Sequence, residues 1–411
     1  MGRAKEKLSV ISLFSGAGGL DFGLEAAGFD AAVCLEMDRW CCITLKTNRD
    51  WPVIEDKIEN VSSKAILDAG GLKPREAALL VGGPPCQPFS KSGYWVKGDS
   101  ARLDDPRART LEEYMRVLED TQPAAFILEN VFGLAYKGKD EGLVFLRERL
   151  DDINRRKKTK YSFEWKVLNA ADYGVPQIRE RVFIIGSRDG KKFEFPKPKF
   201  GVASAEESQA TLFSPDLAPY RSAWDAIGDL DSSEEKAVPS KVGGSWGDLL
   251  PSIPEGDNYL WHTERGGGKA LFGWRSRYWS FLLKLAKDRP SWTIQAQPGT
   301  AIGPFHWKNR RLSMREMARI QTFPDNVDIS GGVSHVQRQL GNAVPSLLAE
   351  VLGKEIKRQF FGVSERQTLK LLPPARMPVP ASEKVRDVPN KYKPVPMSER
   401  ARRDERHEAQ A

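Results

Sequence analysis

The sequence lacks the features that build membrane spans, disulfide frameworks and metal centres. It contains no apolar run of the roughly 18 residues that a transmembrane helix needs. Its four cysteines include no Cys-x-x-Cys pair and its four histidines show no ligand spacing, which disfavours disulfides and a zinc site. The basic N-terminus has no long apolar stretch of the kind found in secretory signals. We therefore expect a cytoplasmic chain with reduced thiols, no membrane partner and no metal.

The composition favours a large folded chain with an anionic partner. A length of 411 residues suggests about two or three domains, and 40% hydrophobic residues can form a substantial core. The 63 Lys and Arg residues outnumber the 55 Asp and Glu residues by 8, and the pI is about 9.1. This moderate basic excess favours a polyanion such as a nucleic acid, without proving one.

Short apolar runs alternate with amphipathic stretches through the N-terminal half of the chain. We predict buried strands at five of these runs, residues 8–14, 31–35, 78–81, 124–128 and 182–186. Such alternation is typical of an α/β fold, with a mostly parallel sheet and helices on both faces. Ligands bind at the carboxyl ends of the strands in these sheets, so side chains there are the first candidates for a site.

Two later regions have a different composition. Seven of the eleven tryptophans lie between Pro196 and Arg311, where glycine and proline are frequent and the strand–helix alternation ends. This predicts a second, smaller and less regular domain. A helix with one apolar face is predicted to start at Pro345. Residues from about 363 onward are proline-rich with mixed charge, which is typical of a disordered tail.

A glycine-rich turn, Ser15-Gly-Ala-Gly-Gly19, follows the first predicted strand. Its glycines let the backbone approach a nucleotide-like ligand, and the following helix offers its N-terminal amides. The dinucleotide pattern GxGxxG fails at Asp21, which favours an adenosine cofactor other than NAD. Glu36 ends the second strand about 20 residues further on, where an acidic side chain can bind ribose hydroxyls. The alternative is a tight structural turn with a solvated Glu36.

Two candidate catalytic side chains follow the next two strands. Cys86 comes after Pro84 and Pro85, which fix the backbone at the ligand-binding edge of the sheet. Its thiolate is a candidate nucleophile, and the alternative is a structural cysteine in a rigid turn. Glu129 follows the strand at 124–128, where an apolar setting would raise its pKa and suit an acid; a solvated Glu129 is the alternative. The remaining cysteines are expected in the core: Cys34, Cys41 and Cys42.

Six short motifs occur in a fixed order along the chain. They are Phe14-Ser-Gly-Ala-Gly-Gly19, Gly83-Pro-Pro-Cys-Gln87, Glu129-Asn-Val131, Gln177-Ile-Arg-Glu-Arg181, Arg311–Pro324 and Gly341-Asn-Ala-Val-Pro345. Together they resemble the motifs of the cytosine-5 DNA methyltransferases of bacterial restriction-modification systems, over about residues 8–360. The resemblance implies a Rossmann-like class I methyltransferase fold, S-adenosyl-L-methionine as cofactor and double-stranded DNA as partner.

The resemblance also implies a mechanism. Cys86 would attack carbon 6 of a cytosine flipped out of the duplex, and carbon 5 would then take the methyl group. Glu129 would bind or protonate ring nitrogen 3, while Arg179 and Arg181 would hold the base or the acid. The implied substrate-binding residues are Pro85, Gln87, Ser90, Asn130 and Gln177.

A cofactor pocket across the first strand ends is implied in the same way. The adenine would lie against Phe14, the ribose against Glu36 and the methionine part against the glycine-rich turn. The complete implied set is Phe14, Ser15, Gly16, Gly18, Gly19, Leu20, Glu36, Met37, Asp56, Ile58, Pro84, Asn342 and Val344.

The resemblance divides the chain into a catalytic and cofactor-binding domain of residues 1–195 completed by 333–362, a target-recognition domain of 196–332 and a disordered tail of 363–411. It implies a monomer whose cognate restriction endonuclease acts on the same DNA site without needing to bind the protein. One alternative is an RNA cytosine-5 methyltransferase, although relatives of that kind carry a Cys-Phe-Thr signature in the recognition region and no cysteine follows Cys86 here. Another is an inactive DNA-binding homologue, which would be expected to lose Cys86 or the cofactor glycines.

Overall fold

The computed structural model describes residues 8–84, 109–130, 141–201, 217–231, 242–275, 278–363 and 368–392. Four of the predicted site residues lie outside these ranges: Pro85, Cys86, Gln87 and Ser90.

A seven-stranded sheet forms the centre of the described residues. Its strands are β1 Ser9–Leu13, β2 Asp30–Glu36, β3 Val53–Glu55, β4 Leu79–Gly82, β5 Ala125–Asn130, β6 Ser162–Asn169 and β7 Glu180–Ser187, in the spatial order β3-β2-β1-β4-β5-β7-β6. Neighbours among β1 to β5 pair in parallel, whereas β7 runs antiparallel to both β5 and β6. The prediction of a mostly parallel α/β sheet is confirmed, and five strands lie at the predicted apolar runs.

Strands β3 and β6 lie outside the predicted runs. Strand β3 has only three residues and leaves Glu55 exposed, so no apolar run marks it. Strand β6 is the last strand at one edge of the sheet, and only Leu168 in it is fully buried. Edge strands commonly carry polar and charged residues, which hides them from a search for apolar runs.

Helices cover both faces of the sheet. The α-helices of the described residues are α1 Gly19–Ala26, α2 Arg39–Asn48, α3 Ser63–Ala69, α4 Arg109–Thr121, α5 Glu141–Lys157, α6 Ala223–Ile227, α7 Met314–Ile320, α8 Val333–Asn342 and α9 Ser346–Phe361. One face of the sheet packs on α3, α4 and α5, and the opposite face packs on α1 and α9. None of the helices in the described ranges is long and apolar enough to cross a membrane.

The C-terminal helix α9 lies directly against the first helix α1. A Cβ atom added at Gly23 would lie 2.5 Å from the Ala349 Cβ and would overlap the Ser346 carbonyl oxygen, so only glycine permits this approach. The Lys357 ammonium also donates a hydrogen bond to the Ala27 carbonyl at 2.9 Å. The predicted helix after Pro345 therefore completes the layer that begins at the N-terminus.

The tryptophan-rich region has little regular structure. It holds the two-residue strands β8 Phe200–Gly201 and β9 Ala218–Pro219, and short 3₁₀ helices at Gly247–Ser252 and Tyr259–His262. Its interior is aromatic, with edge-to-face contacts among the rings of Tyr259, Phe272 and Phe281 at centroid distances of 5.6–5.9 Å. An irregular second region is thus present, while the exact domain boundaries stay predictions.

Residues 368–392 form an extended C-terminal strap along the folded body. The fully buried Glu350 carboxylate of α9 accepts hydrogen bonds from the Lys370 and Leu371 amides at 2.8 and 2.9 Å. Further along, the Arg376 amide donates to Asp225 Oδ1 at 2.6 Å. These contacts tie the strap first to the sheet layer and then to the second region.

The end of the strap packs on the tryptophan-rich region. The ring of Tyr392 stacks on Trp246 with centroids 5.1 Å apart and planes 15° from parallel. The Glu383 carboxylate binds the buried Lys287 ammonium at 3.1 Å. The structure thus differs from the expected disordered tail over 368–392. The segment is proline-rich, but three of its leucines pack against the core of the sheet layer, and partners distant in sequence bind its polar groups.

Candidate active site

A buried carboxylate and an arginine meet where two strands of opposite direction lie side by side. Glu129 lies near the end of β5 and is 8% exposed, and Arg181 lies at the start of the antiparallel strand β7. The Arg181 Nε atom is 3.1 Å from Glu129 Oε1. Since the carboxyl end of β5 adjoins the amino end of β7, the two motifs that carry these residues come together at the ligand-binding edge.

Burial raises the pKa of the Glu129 carboxyl above its ordinary value, and the charges of Arg181 and Arg179 oppose that rise. A carboxyl in this setting retains its proton to a higher pH than a solvated one. It can therefore act as a proton donor or hydrogen-bond donor at a higher pH than a solvated carboxyl can, and Arg181 can stabilise the anion that results.

The segment that leads to Cys86 runs directly beside Glu129. A Cβ atom added at Gly83 would lie 2.8 Å from Glu129 Oε2, and the Asn130 side-chain amide donates to the Pro84 carbonyl at 3.3 Å. Pro84 is buried and is only two residues from Cys86. The structure therefore brings together the predicted acid and the start of the predicted nucleophile loop, and the position of Cys86 itself stays a prediction.

Two polar residues of the Gln177–Arg181 motif are completely buried and bind main-chain groups. The Arg179 guanidinium donates to the carbonyls of Gly341 at 2.7 Å and Ile294 at 3.4 Å. Gln177 accepts from the Ile294 amide at 3.1 Å and donates to the Ile320 carbonyl at 3.5 Å. Both side chains thus join β7 to later parts of the chain, which the sequence pattern did not reveal. Their predicted contacts with substrate stay predictions.

The glycine-rich turn between β1 and α1 has a strained and open backbone. Phe14 has φ +52°, a region that non-glycine residues rarely occupy and that is often found at functional sites. Gly16 also has a positive φ of +55°, and a Cβ atom added there would have no neighbour within 4 Å. The Ser15 amide donates to the Leu35 carbonyl at 3.3 Å, which holds the turn against β2. The turn therefore leaves free space directly over its backbone.

Glu36 closes one side of this space. Its Oε2 accepts a hydrogen bond from the Gly16 amide at 2.8 Å, and its Oε1 accepts from the Met37 and Asp38 amides at 2.8 Å. Burial raises the pKa of Glu36, and these amide hydrogen bonds oppose the rise. A solvated Glu36, the alternative reading, does not occur, because the residue is only 9% exposed. The side chain of Met37 is 66% exposed beside it.

Residues from two other motifs border the same turn. A Cβ atom added at Gly19 would overlap the carbonyl oxygen of the buried Val344, while Asn342 is exposed just before it. Gly18 and Leu20 are buried at the start of α1. The last motif thus lies against the first, as the resemblance implies.

The third side of the space is the end of β3. The Asp56 amide donates to the Glu36 carbonyl at 3.1 Å, and its exposed carboxylate accepts from Asn60 at 2.8 Å. The hydrogen bonds that this carboxylate accepts from Asn60 and from the Lys57 amide lower the pKa of Asp56. Ile58 is buried in the core, with 2% exposure. Asp56 is therefore placed next to Glu36, whereas Ile58 packs beneath them.

Asp21 is a buried acidic residue near this space that the sequence motifs did not single out. Within the described residues neither carboxyl oxygen has a hydrogen-bond partner, and burial raises its pKa to about 6. In the sequence, Asp21 is notable only because it occupies the position of the third glycine in the GxGxxG pattern.

The sheet order, the turn after β1, the acid at the end of β2 and the carboxyl at the end of β5 together define a Rossmann-like methyltransferase fold. The profile of the C-5 cytosine-specific DNA methylase family matches residues 8–358. The chain belongs to that family, and it is a DNA (cytosine-5)-methyltransferase. The family implies S-adenosyl-L-methionine as cofactor and DNA as substrate.

Individual relatives agree with this assignment. The type II methyltransferase M.SacI of Streptomyces achromogenes is 41% identical over 385 residues, which cover 88% of this chain and 96% of that protein. M.PspPI of Psychrobacter sp. TA137 is 34% identical over 362 residues, which cover 85% of this chain and 79% of that protein. The crystal structure of a Spodoptera frugiperda DNMT2 mutant has a TM-score of 0.55 at 16% identity, over 86% of this chain and 99% of that one, and supports the fold alone.

Proposed function

We propose that the protein is the modification enzyme of a type II restriction-modification system and methylates carbon 5 of cytosine within a specific sequence of duplex DNA. The observation that carries the catalytic part is the buried Glu129–Arg181 pair beside the segment that enters the Cys86 loop. The names of the curated relatives, which are type II methyltransferases, support the biological role. A cognate endonuclease would act on the same DNA site, and the chemistry needs only a monomer.

In the proposed reaction the Cys86 thiolate adds to carbon 6 of a flipped-out cytosine, which makes carbon 5 nucleophilic. Glu129 gives its proton or a hydrogen bond to ring nitrogen 3, where charge develops. Arg181 holds the Glu129 carboxyl at 3.1 Å, so the acid keeps one orientation. Carbon 5 then takes the methyl group, which would leave the sulfonium group as a neutral thioether. A solvent base then takes the carbon-5 proton, the Cys86 thiolate departs and ring nitrogen 3 returns any proton to Glu129, which restores the aromatic ring.

The residues around the glycine-rich turn fit an adenosine cofactor. S-adenosyl-L-methionine, when bound, supplies the electrophilic methyl group. Glu36 would hold the ribose hydroxyls, since a carboxylate has further acceptor positions besides those used by the three amides. The open backbone at Gly16 would lie against the methionine part and Phe14 against the adenine. Asp56, Asn342 and Val344 would border the same pocket.

The DNA side of the site is proposed from the motifs. Pro85, Gln87 and Ser90 belong to the nucleophile loop, and Asn130 supports that loop through the Pro84 carbonyl. Arg179 and Gln177 would act on the base through the position they give to β7, since their hydrogen bonds go to main-chain groups. The tryptophan-rich region of 196–332 would contact the target sequence.

A methyl-transfer assay tests this proposal. The protein is incubated with methyl-labelled cofactor and either unmethylated plasmid or transfer RNA, with Cys86→Ala as the matched variant. Label in plasmid DNA that disappears in Cys86→Ala is the expected result. Label found only in RNA, absence of label from both substrates, or label that persists in Cys86→Ala would each contradict the proposal. Sequencing of the methylated plasmid would then give the recognised sequence.

A further inference from the structure

Three large aromatic side chains within six residues of the tryptophan-rich region are exposed. Trp274, Tyr278 and Trp279 are 43%, 50% and 39% exposed, and they form what we call the aromatic patch. The Arg265 guanidinium lies over the Trp274 ring, 4.2 Å from its centroid. Exposed aromatic rings grouped in this way usually mark a surface that a partner covers.

The aromatic patch is held on a rigid base. The Asn258 side-chain amide donates to the Trp279 carbonyl at 2.7 Å, and the ring of Tyr259 packs edge-to-face on Phe272 and Phe281 beneath it. An exposed ring on such a base keeps its position before a partner binds. It therefore loses little conformational freedom on binding, which favours affinity.

The aromatic patch is joined to the strand that carries Arg181. The rings of Trp279 and Trp292 meet edge-to-face with centroids 4.4 Å apart. The next residue, Thr293, donates its hydroxyl to the Ile178 carbonyl at 2.7 Å. Two contacts thus connect Trp279 to the segment that enters β7, the strand that carries Arg181 of the proposed active site.

The charge around the patch indicates the kind of partner. Arg265, Lys269 and Arg275 lie in the same stretch of chain, against the single acidic residue Glu264. Guanidinium and ammonium groups bind phosphates, and aromatic faces stack on bases that leave the duplex stack. This combination fits distorted DNA better than it fits an apolar protein surface.

We propose that the aromatic patch contacts the DNA duplex beside the flipped cytosine, with Trp274, Tyr278 and Trp279 against bases or sugars and Arg265 at the adjacent phosphates. This inference rests on duplex DNA being the substrate. It assigns to named side chains a part of target binding that the sequence motifs leave open.

Single variants of the patch test the inference. In Trp274→Ala and Tyr278→Ala the KM for DNA is expected to rise about 5- to 150-fold, the range of a lost stacking contact, with the KM for the cofactor unchanged. In Arg265→Ala the slope of log affinity against log salt is expected to fall by about 1. The matched control is Trp165→Ala, because Trp165 is 37% exposed on the edge strand β6.

The outcomes separate this inference from the proposed function. Wild-type protein that does not label plasmid DNA would defeat the proposed function itself. A second outcome would defeat only the patch inference: the wild type is active, but the KM for DNA of both Trp274→Ala and Tyr278→Ala is within twofold of that of Trp165→Ala. So would a change of oligomeric state in light scattering without a change in DNA affinity, since the patch would then bind a second copy. If Trp274→Ala fails to fold by circular dichroism, Tyr278→Ala decides, because Tyr278 is half exposed.

Discussion

Replacing Lys287 with alanine is expected to lower the free energy of unfolding by about 3 kcal/mol. The Lys287 ammonium lies 2.9 Å from Glu255 Oε1, and both side chains are only 3% exposed. Breaking a buried ion pair by removing one partner costs about 3–5 kcal/mol, because the other charge remains buried and unpaired. The lower end of this range applies to Lys287→Ala, since the Glu383 amide still donates a hydrogen bond to the Glu255 carboxylate at 2.7 Å.

The substitution Lys287→Ala also removes contacts that attach the strap. Lys287 binds the Ala381 carbonyl at 3.0 Å and the Glu383 carboxylate at 3.1 Å, and both residues belong to the strap. The Glu383 carboxylate is 44% exposed, so water can replace its share of the interaction at little cost. Most of the expected loss therefore comes from Glu255.

Urea denaturation at pH 7 measures the effect, with two comparison variants. Lys64→Ala removes an ion pair with Asp68 whose side chains are 82% and 61% exposed, so it is expected to cost less than about 1 kcal/mol. The double variant Lys287→Met/Glu255→Gln removes both charges of the buried pair and leaves only the partly exposed Glu383 without its lysine, so it is expected to lose less than Lys287→Ala. The reasoning is refuted if Lys287→Ala is no worse than Lys64→Ala, or if the double variant is less stable than the single one.

Three further predictions concern the active site. Glu129→Gln should abolish methyl transfer and should make the protein more stable than the wild type at pH values above 4.5, the ordinary pKa of a glutamate. The reason is that the pKa of Glu129 is raised in the folded protein, so the wild type loses stability as the pH rises from 4.5 through the folded-state pKa. Urea denaturation at pH 4.5 and 8 measures the difference in stability between the two proteins, and an equal difference at both pH values would contradict the prediction. Arg181→Gln should raise the pKa of Glu129 further and move the basic limb of the pH profile of kcat to higher pH, whereas an unmoved limb would separate the pair from catalysis. Gly16→Ala should weaken cofactor binding in calorimetry more than Gly71→Ala, whose φ of +61° and open surroundings match those of Gly16, and equal effects would place the cofactor elsewhere.

Much of the sheet could be predicted because its strands are buried on both faces. Continuous apolar runs mark β1, β2, β4, β5 and β7. Glu36 and Glu129 were identifiable because each ends such a run, and the edge of a parallel sheet is where polar side chains meet. Cys34, Cys41 and Cys42 are buried as expected.

The strap could not be predicted, because its sequence has the composition of a disordered segment. It is held by partners far away in the chain. Leu369, Leu371 and Leu372 pack on the core of the sheet layer, and contacts with Glu350, Lys287 and Trp246 fix other parts of the strap. Local composition does not show which groups of distant segments are available to bind a proline-rich segment. The same reason hides β6, whose pairing with β7 depends on position rather than on apolar content.

Arg179 shows why a motif residue can be essential without touching the reacting atoms. A completely buried guanidinium is costly unless its donors are satisfied. Here Gly341 and Ile294 supply carbonyls from two later segments to the two terminal nitrogens, while Nε has no partner among the described residues. The segment of Gly341 leads into Asn342 and Val344 at the proposed cofactor pocket. The segment of Ile294 follows Trp292, whose ring contacts Trp279 of the aromatic patch. The strand that carries Arg181 is thus hydrogen-bonded to both the cofactor side and the DNA side. We therefore expect the position of Glu129 relative to a bound base to depend on the buried main-chain contacts of Arg179 as well as on the pairing of Glu129 with Arg181.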